Sequence, residues 1–134
     1  MADDKSIPEL PAVAPLPYKR AENFISYYAN NFILEGNAWD LKIIFGALDK
    51  DESGKDIARQ QLAVTVPWAQ AKLALYWLRL QVLATEIQQG KIPIRKDLIP
   101  PEPPVLSDDD LKNPDSVRIH EMVIKMREEF LATL

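Results

Sequence analysis

The sequence predicts an α+β fold: an antiparallel sheet of three or more strands packed by one long helix, plus a C-terminal amphipathic helix. Three observations carry that expectation. Two alternating runs meet at Gly36-Asn37, a third alternates over 57–66, and residues 67–89 repeat apolar side chains every three or four positions.

The block 28–46 reads as a hairpin, because Gly-Asn between alternating runs is a strong turn signal. With Gly36 and Asn37 as the central turn residues, Leu34 faces Trp39, Phe32 faces Leu41, Asn30 faces Ile43 and Tyr28 faces Phe45. Opposed residues point the same way, so these side chains, Asn30 apart, form an apolar core face. The other face carries Asn31, Ile33, Asp40, Lys42 and Ile44 and is mixed. A polar turn over 49–55 closes the second strand. Its aspartates and Gly54 imitate a calcium loop, but the twelfth position from Asp49 is Gln60, where such a loop needs glutamate, so it reads as a solvated hairpin turn. In the third strand Leu62, Val64 and Val66 share one side.

Pro67 suits the first turn of a helix that runs to Gln89, where Gly90 stops it. Ala69, Leu73, Tyr76, Leu80, Leu83 and Ile87 form one apolar stripe; Ala71, Leu75, Leu78 and Val82 form another on nearly the opposite side. A helix on one sheet needs one stripe, so two stripes require a second cover. Beyond it, prolines 93, 100, 101, 103 and 104 predict an extended connector. Ser107 starts a short turn, and Asn113-Pro114-Asp115 supplies cap, first-turn proline and early acid for the last helix. That helix carries Ile119, Met122, Val123, Met126 and Phe130 on one face, with Val117, Ile124 and Leu131 on a narrower strip. The organisation expected is a flexible Pro-rich arm over 1–20, a strand-strand-strand-helix core over 21–92, a Pro-rich connector over 93–112 and a C-terminal helix over 113–134.

Tyr28-Ala29-Asn30, Asp40-Leu41, Phe45-Gly46, Ala71-Lys72, Glu86 and Gly90 with Ile92 together resemble a prokaryotic domain family of unknown function found in short soluble proteins. The likeness covers roughly 27–93. Thr85 departs from it, standing where family members often carry an aromatic residue. The resemblance implies a small strand-rich unit with a long helix and supplies no established activity.

The chain has 134 residues, no cysteine, a net charge of -4 and a pI near 5.0. Thiolate nucleophiles and Cys-ligated metals are excluded, and the acidic balance disfavours non-specific binding to phosphate backbones. No run approaches the roughly 20 apolar residues of a membrane span, and the acidic, proline-containing start does not read as a signal peptide. A cytoplasmic location without membrane association is expected. His120 is the single histidine, a boundary residue between the two strips of the last helix. It anchors neither a multi-histidine metal site nor a triad by spacing. Neither a phosphate-binding glycine loop nor a nucleophile elbow is present. No catalytic, cofactor-binding or metal-binding residue is assigned, and no enzymatic activity or cofactor is expected.

Two functions remain. The first is a non-enzymatic interaction and assembly module working as a homo-oligomer, with a dimer the expected form and a further protein partner allowed. Its candidate interface residues are Trp68, Leu75, Leu78 and Val82 on the first helix and Ile119, Met122, Val123, Met126 and Phe130 on the last. Trp77 reads as ordinary core, and Asn30 as a structural amide or a ligand contact. The alternative is single-stranded nucleic-acid binding on the sheet, with Tyr27, Lys42, Lys55 and Arg59 converging beside aromatic platforms.

Overall fold

The computed structural model describes residues 16–134. It contains β1 (Asn31–Gly36), β2 (Asp40–Lys50), β3 (Asp56–Pro67), α1 (Trp68–Gln89), α2 (Asp108–Leu111) and α3 (Pro114–Leu131), with a short 3-10 turn at Lys96–Leu98. The fold is α+β, and the three strands form one antiparallel sheet in the order β1-β2-β3. The expected proline-rich arm lies outside the described residues up to position 15; residues 16–20 carry no regular structure. The chain divides into two units between Val82 and Leu83, each described here by itself.

The hairpin register differs from the sequence expectation. Leu34 pairs with Ile43 rather than Trp39, and Phe32 with Phe45 rather than Leu41. A two-residue primed turn would need positive φ at its central residues, and neither Gly36 nor Asn37 adopts it. Asn37 shapes the turn with its side chain instead. Its Oδ1 accepts from the backbone N–H of Trp39 (2.7 Å) and of Asp40 (2.9 Å), and its Nδ2 donates to Asp40 Oδ1. The slide from Trp39 to Ile43 spans four residues, an even number, so every side chain in the strands keeps its expected face. Trp39 leaves that face for the turn, where it is 83% exposed, and Tyr28 precedes β1 altogether.

β3 completes the apolar face by setting Leu62, Val64 and Val66 opposite Phe45, Ile43 and Leu41. Pro67 is therefore the last strand residue, opposite Asp40, rather than the first of the helix. A bulge at Phe45/Gly46 leaves Gln61 unpaired. A β-carbon on Gly46 would lie 2.8 Å from the carbonyl oxygen of Arg59, so the close approach of the two strands depends on glycine. Gly46 is also the one buried residue among those described.

The remaining boundaries follow their local chemistry. Gly90, at φ +87°, ends α1. The side chains of Ser107 and Asn113 accept from backbone N–H groups in the first turns of α2 and α3. At the β2–β3 turn Asp51 Oδ1 accepts from Ser53 Oγ and from the N–H groups of Ser53 and Lys55. The Ser53 hydroxyl, then the Lys55 amide, hold the Asp51 carboxyl below its ordinary pKa; for Asp49 the Arg59 guanidinium does so first, then the Lys50 amide.

What does not form is a core. No hydrophobic side chain among the described residues is buried. Helix α1 buries none of its residues. Pairing of backbone groups fixes the sheet, but covering its apolar face requires a second layer that residues 68–82 do not provide.

Gly46→Ala should destabilise the fold by about 1–3 kcal/mol, as overpacking against backbone does, read as a lower denaturant midpoint. Both depressed aspartates stabilise the β2–β3 end above the ordinary carboxylate range, and the contribution disappears as pH falls through the lowered values. The protection factors of the Ser53 and Lys55 amides, which correct for the pH dependence of intrinsic exchange, should therefore fall below about pH 4, the unperturbed aspartate range.

Candidate functional surfaces

Alternation along the three strands puts Phe32, Leu34, Leu41, Ile43, Phe45, Leu62, Val64 and Val66 on one side of the sheet. Phe32 is 61% exposed, and Leu34, Leu62 and Val64 are exposed as well. The segment before β1, through Phe24, Ile25, Tyr27 and Ala29, forms a shallow pocket with Phe45 and Leu62. Isolated exposed apolar residues are ordinary; here the exposed ones share one face of the sheet.

Trp68 is the hinge between sheet and helix. Its Nε1–H donates to the Asn37 carbonyl at 2.8 Å, and its ring lies against Gly36, where a β-carbon would stand 3.1 Å away. The indole thus ties the start of α1 to the β1–β2 turn and remains about half exposed. Leu75 (68% exposed), Leu78 (64%) and Val82 occupy one side of the helix, and Leu73 and Tyr76 are exposed on the other. Both expected stripes are present, and both are open. Trp77 is half-buried rather than core; its ring meets Tyr76 edge-on at 5.0 Å, and its Nε1 is screened from solvent without an acceptor among the described residues. An orphaned donor of this kind costs about 1–3 kcal/mol, so the indole environment is incomplete.

Asn30 is not opposite Ile43. It precedes β1, where its N–H donates to Gly46 O (3.1 Å) and its Oδ1 accepts from Leu48 N (2.8 Å). These bonds follow the bulge and tie the chain entering β1 to β2. The cations named for nucleic-acid contact are not brought together. Lys42 lies beside Glu35 (3.9 Å) on the mixed face, while Arg59 binds Asp49 (2.9 Å) next to Ala47 on the other.

In the second unit the end of α1 is closed by Glu86, whose carboxylate accepts from Ile92 N and whose carbonyl accepts from Gly90 N. The connector then runs along α3. Arg127 Nε donates to Pro100 O at 2.9 Å, and His120 Nε2 lies 3.0 Å from Pro104 O. A carbonyl can only accept, so Nε2 carries the hydrogen. Proline-rich chain has no ladder of its own, and its carbonyls take donors from the helix instead. Glu102, Pro103 and Val105 form a cleft with His120, Ile124, Arg127 and Glu128. The connector lines a cleft beside Ile124, which stays 38% exposed, and Ile119, Met122, Val123 and Met126 are exposed as well; Phe130 is half-buried.

Among the described residues no group of three or more His, Asp or Glu side chains is placed to hold a metal ion, and no helix is long and apolar enough to cross a membrane. No family model, curated protein or solved structure matches the chain.

Arg127→Met removes one anchor of the connector while keeping the aliphatic stem. Trypsin cleavage at Lys96, followed by mass spectrometry, should become several-fold faster, consistent with losing a hydrogen bond of about 1 kcal/mol.

Proposed function

We infer that this chain is a non-enzymatic assembly module that works as a homo-oligomer through its apolar surfaces. The observation that carries the reading is the exposed apolar side chains within each unit: Phe32, Leu34 and Val64 on the sheet face, Leu75 (68% exposed) and Leu78 (64%) on α1, and Met122 and Met126 on α3. Obligate homodimers bury about 2,000–5,000 Å² or more over both partners, and their interfaces resemble a domain core cut in half. An open apolar sheet face and a helix with two open stripes are such halves.

The second reading, single-stranded nucleic acid on the sheet, gains exposed Phe32 as a stacking platform but no basic groove, since Lys42 and Arg59 each stand beside a carboxylate. Assembly explains more of the surface.

Light scattering on a sizing column should return an integer multiple of 15.2 kDa for the full chain, with the dimer expected. Leu75→Glu with Leu78→Glu should lower that mass or abolish stable folding, because a charge cannot be buried in an apolar contact without a partner. A well-folded monomer at micromolar concentration would overturn the reading.

A further inference from the structure

We propose that the connector over residues 100–104 is itself a binding surface, presented on α3 as a preformed polyproline II ligand for a protein domain with an aromatic-lined groove. This contact is separate from the self-assembly read above and uses a different part of the chain. The connector and both of its anchors belong to the unit Leu83–Leu134.

The conformation follows from local chemistry. The rings of Pro100, Pro101, Pro103 and Pro104 hold φ at about −65°. Ile99, Pro100, Glu102 and Pro103 each precede a proline, which keeps their ψ in the extended range. Ile99 shows the result, at φ −65° and ψ 131°. A run of such residues is a left-handed helix with three residues per turn and no hydrogen bonds of its own. The anchors agree with that pitch, Arg127 Nε donating to Pro100 O and His120 Nε2 to Pro104 O. From Pro100 to Pro104 such a helix rises about 12 Å, and α3 rises about 10.5 Å from His120 to Arg127. Connector and helix therefore run antiparallel and nearly in step.

The threefold repeat decides what the connector offers. Pro101 and Pro104 share one edge, and Pro100 and Pro103 share another. Pro103 lines the cleft with α3 and is half-buried, whereas Pro101 and Pro104 are exposed. Proline has no N–H, so across residues 100–104 the backbone has a single donor, at Glu102. The carbonyls of Pro101, Glu102 and Pro103 accept no hydrogen bond among the described residues. An edge of proline rings beside unbonded carbonyls is recognised by aromatic side chains, whose faces pack on the rings while an indole N–H or phenol O–H donates. A segment already held extended on a helix loses little further freedom when it binds.

The probe is an isotope-labelled WW domain whose groove accepts Pro-Pro-x-Pro segments, the order found at residues 100–103. Titrated with the full chain, the indole resonance of its groove tryptophan should shift saturably. Pro101→Ala with Pro104→Ala should weaken that binding by about tenfold or more, a loss read directly from the fitted Kd. Arg127→Met releases one end of the connector and should weaken binding several-fold, because the docked conformation is the one bound. No saturable shift with the parent chain overturns the proposal, as does unchanged affinity in the double proline variant. Unchanged or tighter binding by Arg127→Met also overturns it, since α3 would then not be presenting the connector. Circular dichroism of each variant, matched to the parent chain, confirms that the differences arise at the connector.

Discussion

A single antiparallel sheet with one apolar face has to be covered, and everything else about this chain turns on that constraint. Backbone pairing gives the three strands their order and register, but hydrogen bonds exchanged for those with water contribute only modestly to stability. Apolar burial is the dominant favourable term in folding. Here eight strand side chains share one face, and none of them is buried.

Several local devices prepare that face for contact. The Asn37 turn sets the register that brings Phe32 against Phe45 and Leu34 against Ile43. Gly46 permits the bulge, and Asn30 bonds to Gly46 and Leu48 just beyond it, which ties the chain entering β1 to that part of β2. Trp68 joins that turn to the helix through one hydrogen bond and one ring contact. None of these groups has the arrangement of a catalytic site. Together they hold the β1–β2 turn, the bulge and the start of α1 in one arrangement.

The second unit shows a different solution to the same problem. α3 has two apolar strips, and the connector is tied alongside the narrower one by proline carbonyls that accept from Arg127 and His120. The broad strip with Met122 and Met126 stays exposed. Methionine adapts to irregular partners, so this face is suited to a contact less rigidly specified than that of the sheet.

Much of this was legible in the residues. Alternation located all three strands and sorted Phe32, Leu34, Ile43 and Val64 to one face; Asn113-Pro114 and Gly90 marked helix boundaries, because caps and breakers act on their immediate neighbours. The pairing partners were not legible. Gly36-Asn37 offered a two-residue turn, whereas the Asn37 side chain, backed by Trp68 from thirty-one residues away, chose a wider one. Gly46 gave no sign of its bulge, since the close carbonyl of Arg59 belongs to another strand. The sequence by itself determined which segments are strand or helix and which of their faces are apolar, for these depend on spacing and propensity along the chain. Only the tertiary structure decided the register and left the sheet and the two stripes of α1 open, for these depend on where the backbone leads the helix after Pro67.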